Sequence, residues 1–178
     1  MAIASQPVPL VRFTWNLKEL QPGSLEMPKP FVLRTADKDE TDEAIAIVQA
    51  SYNLDPSWSG CAMHTRDTVL PGVSKAMTRE PSCLFVLHGN RVIGVSAYNC
   101  EPEDGGVHLV SGPCVITEYR SRGIGAALLF ATLDALRERG GTVATGQTRP
   151  NSPSAKYLYS KFGGKPVAAA IPVEANAA

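Results

Sequence analysis

The stretch Val115-Ile116-Thr117-Glu118-Tyr119-Arg120-Ser121-Arg122-Gly123-Ile124-Gly125-Ala126 constrains this chain more than any other part of it. A strand-like apolar run, read as Val107 to Ile116, leads into a loop with two arginines and two glycines. A helix of about 17 residues, Gly123 to Arg139, follows and is ended by Gly140-Gly141. The first amides of such a helix have no intrahelical acceptor, and with the helix dipole they form an anion site. Gly123 and Gly125 lack a Cβ, so an oxygen can come close to the backbone, and Arg120 and Arg122 add charged planar donors. The expected ligand is a compact polyanion. A Walker loop would need Lys and then Ser or Thr after its second Gly, where Ala126 and Ala127 stand. A dinucleotide fingerprint would need a third glycine.

The remaining elements surround this loop with a mixed layout. Residues 1–30 contain Pro7, Pro9, Pro22, Pro28 and Pro30 and are expected to be an N-terminal extension, with the domain proper at 31–178. Pro9 to Trp15 within it has a short strand pattern. A strand at Phe31 to Arg34 precedes a helix running to about residue 53, with Asp37 as N-cap and Glu40 at capping-box spacing. A weaker helix is expected over Asp67 to Met77, interrupted at Pro71-Gly72. Ser82 to Leu87 and Arg91 to Asn99 form a hairpin around His88-Gly89-Asn90. After the long helix come a strand at Thr142 to Gly146, a helix at Ser152 to Phe162 with Pro153 at N1, and a strand at Lys165 to Val173. The order predicts an α/β fold around one mixed, largely antiparallel sheet.

Two motifs give this layout a family resemblance. Arg120-Ser121-Arg122-Gly123-Ile124-Gly125 resembles the Arg/Gln-x-x-Gly-x-Gly/Ala motif of the GCN5-related N-acetyltransferases (GNAT), with Thr117 where the family commonly has proline. Downstream, Asn151 precedes a helix, Ala155 follows four residues later, Tyr159 four after that, and Gly163 closes the segment, as in the family's second motif. The resemblance covers roughly residues 82–166. It implies a central sheet splayed at the cofactor and flanked by helices, with acetyl-CoA as co-substrate. The pantetheine arm is implied on Val115, Ile116 and Thr117. The pyrophosphate is implied on Gly123, Ile124, Gly125, Ala126, Ala127 and Leu128, assisted by Arg120 and Arg122. Asn151 is implied to hydrogen-bond the arm, its other reading being a helix cap. Tyr159 is implied as the catalytic acid that protonates the leaving thiolate, against the reading of a core aromatic.

No residue presents itself as the base. Strand alternation puts Leu109, Ser111, Pro113 and Val115 on one face and His108 on the other, while Glu101, Glu103 and Asp104 sit in the preceding loop. The resemblance implies the acceptor wall at Asp55 to His64, with Asp55 offered for an ammonium and Trp58 either for stacking on the acceptor or for pinning the loop to the core. The resemblance leaves one strand position unfilled at the C-terminal end. Its expected occupants are Pro9 to Trp15 or a strand from a second copy in a homodimer.

Composition narrows the partners. Formal net charge is +0, which favours neither nucleic acid nor an acidic membrane as the main partner. No leader-like or membrane-spanning run is visible in the sequence. The cysteines, at 61, 83, 100 and 114, form no zinc-ligand spacing, so they are expected to be reduced thiols of a cytoplasmic protein without a metal. The expected activity is acetyl transfer to a primary amine, small-molecule or protein, by direct attack in a ternary complex. The alternative is a non-catalytic acyl-CoA-binding module.

Overall fold

A computed structural model describes residues 8–23, 25–79 and 82–167. Strand β1 (Val11–Asn16) is followed by β2 (Val32–Thr35), helix α1 (Thr41–Asn53), a short α2 (Ala62–His64) and α3 (Leu70–Arg79). Then come β3 (Cys83–His88), β4 (Arg91–Ala97), β5 (Cys114–Val115), helix α4 (Ile124–Glu138), β6 (Val143–Thr148) and β7 (Lys165–Val167). The strands form two antiparallel groups, β2-β3-β4-β5 and β6-β1-β7.

The first group is covered on both faces, which its sequence pattern explains. Along β3, Cys83 and Phe85 point to the cluster built with Val48 of α1 and Val73 and Met77 of α3, whereas Leu84 and Val86 join the cluster under α4. A continuous apolar run is what a strand buried on both sides requires. In α4, Leu128, Leu129 and Leu133 are fully buried. Thr132 Oγ1 lies 2.8 Å from both Ser96 Oγ of β4 and the Leu128 carbonyl, so the one polar pair in this interface is satisfied. Ahead of α1, Glu40 accepts from the Asp37 amide (2.7 Å) and from Arg34 Nη1 (2.8 Å). The Arg34 hydrogen bond is the main reason its carboxyl falls to about 2.

Three expectations are corrected here. Val11–Asn16, grouped from sequence with the extension though also offered, as Pro9 to Trp15, for the unfilled strand position, is the middle strand of its sheet, paired from Val11↔Thr148 to Asn16↔Val143 and with β7 on its other side. Phe13 and Trp15 are buried in the main core, because alternate residues of an inner strand must face it, and Leu17 and Leu20 of the 3₁₀ turn that follows join them. The expected strand Val107 to Ile116 is reduced to Cys114–Val115 and an isolated bridge, Tyr98↔Leu109. Gly112 stands at φ +63° with Pro113 after it, which breaks the pleat and cancels the alternation argued for that run. Pro71-Gly72 lies inside α3 without ending it. A π-helical turn, Thr65–Val69, precedes it, with the Leu70 amide donating to the Thr65 carbonyl, and this widening makes room for the proline ring. The expected strand beyond Val167 lies outside the described residues.

Candidate active site

The two sheets are joined at one end and open at the other. At the joined end, the Leu109 amide donates to the Thr145 carbonyl (3.0 Å), and the Thr145 amide donates to His108 Nδ1 (3.1 Å). Past Gly112 the chains diverge. A cavity of about 520 Å³ opens between residues 111–115 on one side and Gln147 and Thr148 of β6 on the other. Its far end reaches the start of α4, where Gly123, Gly125 and Ala126 line it.

That end is a helix start whose first backbone amides are unpaired among the described residues. Ser121 (φ 62°) and Gly123 (φ 80°) both adopt left-handed backbone, which curls the loop so that it enters α4 abruptly. Gly123 is the N-cap, and its carbonyl takes the Ala127 amide (3.1 Å). The amides of Gly123, Ile124, Gly125 and Ala126 are therefore those left over at the helix start. The expected cradle ran two residues too far, since Ala127 is already in the helical ladder and Leu128 lies deeper in the core with no exposure. A Cβ on Gly125 would meet nothing within 4 Å. Arg120 Nε donates to the Val115 carbonyl (3.0 Å), fixing its guanidinium at the cavity wall, and its Nη groups have no protein partner among the described residues. Arg122 turns away, donating to the Glu118 carbonyl (3.1 Å) and lying 5.3 Å over the Tyr119 ring.

Of the backbone expected to hold the arm, only Val115 fits on geometry. The Ile116 amide is spent on Ile93 of β4 (3.0 Å), and strand alternation then turns Val115 N–H toward the open gap. Thr117 opens an exposed 3₁₀ turn. Asn151 is exposed and absent from the cavity wall. The capping it was offered for is done by Ser152, whose Oγ accepts from the Ala155 amide (3.1 Å) and meets Thr148 Oγ1 (2.9 Å).

Tyr159 is 3% exposed, and Tyr157, also at the cavity, is 72% exposed. Ser154–Leu158 is a π-helical turn, and the Tyr159 amide closes on the Ser154 carbonyl (2.8 Å). The Tyr159 ring stands edge-on to Phe13 (5.4 Å) and Trp15 (5.3 Å) of β1. Its hydroxyl lies against Gly112, where any Cβ would collide with it. Burial raises the Tyr159 phenol above its ordinary value, so it keeps its proton at neutral pH. Cys114, in the same wall, is pushed up to about 12 by burial and is a thiol rather than a thiolate.

The sequence reading missed Ser51, Tyr52 and Cys114 as cavity residues. Tyr52 stands near the end of α1, and its hydroxyl donates to the Ser111 carbonyl (3.0 Å) and holds the broken segment in place. The Gly112-Pro113 pair inside an apolar run was the one signal that this segment is irregular. Asp55 and Trp58 do reach the cavity, whereas His108 does not line it. Among the described residues no group of three or more His, Cys, Asp or Glu is placed to hold a metal.

A charge test isolates the helix start. Gly125→Glu points a carboxylate into open space among the free amides. It should leave folding intact and abolish the rise in unfolding midpoint that a polyanionic ligand produces. An unchanged rise would remove the α4 N-terminus as the anion site.

No curated protein matches this sequence. Among solved structures, similarity lies in the fold. A Drosophila protein superposes with a TM-score of 0.67 at 13% identity, over 91% of this chain and 48% of its own. A GNAT-family acetyltransferase from Colwellia psychrerythraea gives 0.61 at 13% identity, over 90% and 53%. A GCN5-related N-acetyltransferase from Sphaerobacter thermophilus gives 0.56 at 18%, over 91% and 50%. The chain spans about half the length of these structures. Residues 48–164 match the family described as Acetyltransferase (GNAT), and this range takes in the α4 loop, β6 and Tyr159 together. The chain belongs to the GNAT acetyltransferase family.

Proposed function

We propose that the protein transfers an acetyl group from acetyl-CoA to a primary amine by direct attack in a ternary complex. One observation carries this reading: a free helix N-terminus and a buried, protonated phenol line the same cavity. When bound, acetyl-CoA supplies an activated acyl thioester. Gly123, Ile124, Gly125 and Ala126 would hold its pyrophosphate through backbone amides, with Arg120 beside them. Val115 N–H would pair with the arm along the open edge of β5. Tyr159 would donate its proton to the departing sulfur, and the surrounding aromatic rings would hold that hydroxyl in one place.

The test is thermal unfolding with acetyl-CoA, CoA and ATP, followed by thiol release in the presence of amines. A ligand at about a hundred times its dissociation constant adds about 2.7 kcal/mol, a plain rise in midpoint. Acetyl-CoA and CoA should raise the midpoint and ATP should not. No rise with any of the three would end the acyltransferase reading.

A further inference from the structure

A second cavity, of about 240 Å³, adjoins the first, and Tyr52, Trp58 and Gln147 line both. It falls below the roughly 300–1,000 Å³ of ordinary ligand pockets, so its occupant must be small. Val69, Val107, Leu109 and Val110 give it apolar walls, and no Asp, Glu, Lys or Arg is among the described residues lining it. The nearby cations are held by backbone carbonyls, Arg12 on two residues of the cavity's own rim. Arg12 Nη2 donates to the Gly105 and Gly106 carbonyls (3.0 and 2.9 Å), and Arg149 donates to the Ser57 and Pro9 carbonyls (3.1 Å each). An acceptor with a carboxylate or a second ammonium would find no charged side chain among the described residues lining it, and burying either unpaired is costly. Across the shared wall, Asp55 is the one carboxylate among the residues lining the larger cavity. Its Oδ1 takes the Ser57 amide (2.9 Å) and hydroxyl (2.6 Å), which leaves Oδ2 to draw in a single ammonium.

His64 is the imidazole among the described residues lining this second cavity, beside the Tyr52 phenol. Its imidazole is stacked on Trp58 (5.9 Å between centroids, 11° between planes) and has no hydrogen-bond partner among the described residues. Burial lowers its pKa, so it is a neutral base at physiological pH.

We infer that the acceptor is a small primary monoamine with an uncharged apolar body, which the smaller cavity encloses, and that His64 takes the proton its nitrogen loses. This rests on the acetyl-transfer reading above. The ammonium drawn in by Asp55 first loses one proton to solvent, the freed amine lone pair then forms the C–N bond to the thioester carbonyl carbon, and the C–S bond breaks with its electron pair on sulfur. One proton passes from nitrogen to the His64 imidazole and one from the Tyr159 hydroxyl to sulfur. His64 then releases its proton and Tyr159 regains one, leaving amide plus thiol.

The experiment measures thiol release from acetyl-CoA with hexylamine, phenethylamine, spermidine and glycine, in the wild type, His64→Gln and His64→Ala. The apolar monoamines should exceed spermidine and glycine in kcat/KM by about tenfold or more. His64→Gln should lower kcat by about 10²-fold with KM for acetyl-CoA unchanged, and added imidazole should restore part of the rate to His64→Ala. Preference for spermidine or glycine would overturn the acceptor class. Undiminished kcat in His64→Gln, or a defect in His64→Ala that imidazole does not touch, would overturn the role of His64. Thiol release with none of the four amines would instead overturn acetyl transfer itself and this inference with it.

Discussion

Tyr159→Phe is expected to lower kcat by about 10²–10³-fold while leaving the acetyl-CoA-induced rise in unfolding midpoint unchanged. The substitution keeps the ring that packs edge-on against Phe13 and Trp15, so the fold around β1 and β6 should persist. Only the hydroxyl beside Gly112 is lost, and burial keeps that hydroxyl protonated, as a proton donor must be. Tyr157→Phe is the natural comparison, because its side chain is largely exposed at the same cavity and should change little. Equal rates in Tyr159→Phe and the wild type would make Tyr159 a packing residue. Thiol release absent from both, with the midpoint rise retained, would favour a protein that binds the acyl thioester without turning it over.

The loop and helix start were legible because they depend on local chemistry: a strand, two glycines and a helix start within a dozen residues. The error in the expected cradle's extent was also local, since only the Ala127–Gly123 hydrogen bond shows where the helical ladder begins. Tyr159 was legible as a position in a spaced motif, but its surroundings were not. Phe13 and Trp15 lie far from it in sequence and meet it only because β1 inserts between β6 and β7. The base was sought on the strand before the loop, where alternation suggested a face. Gly112 breaks that strand, and the imidazole of the second cavity comes instead from α2. The capping reading of Asn151 fell to a serine one residue on, which has the geometry to cap.

Trp15→Ala is expected to destabilise the protein by about 3–5 kcal/mol, read as a fall of roughly 10 °C in unfolding midpoint. Trp15 is 1% exposed, packs against Tyr159, and donates from Nε1 to the Lys161 carbonyl (3.0 Å). Truncation would leave a large cavity and strip the half-buried Lys161 carbonyl of its partner, two penalties that add. The same indole crowds Gly164, where a Cβ would press on both Trp15 Nε1 and the Tyr159 carbonyl, so this corner has little room to collapse and relieve the loss. Trp15→Phe should cost less, because the ring contact with Tyr159 survives while the Nε1 hydrogen bond does not. In both variants kcat should fall further than instability alone explains when measured well below the midpoint, because the seat of the Tyr159 hydroxyl is loosened. A loss under about 1 kcal/mol in Trp15→Ala, far below the cost of truncating a packed aromatic, would mean that β1 can leave the sheet without consequence. The segment before Val32 would then be the detachable extension its prolines suggest, and the position of Tyr159 would have to be explained from β6 and β7 alone.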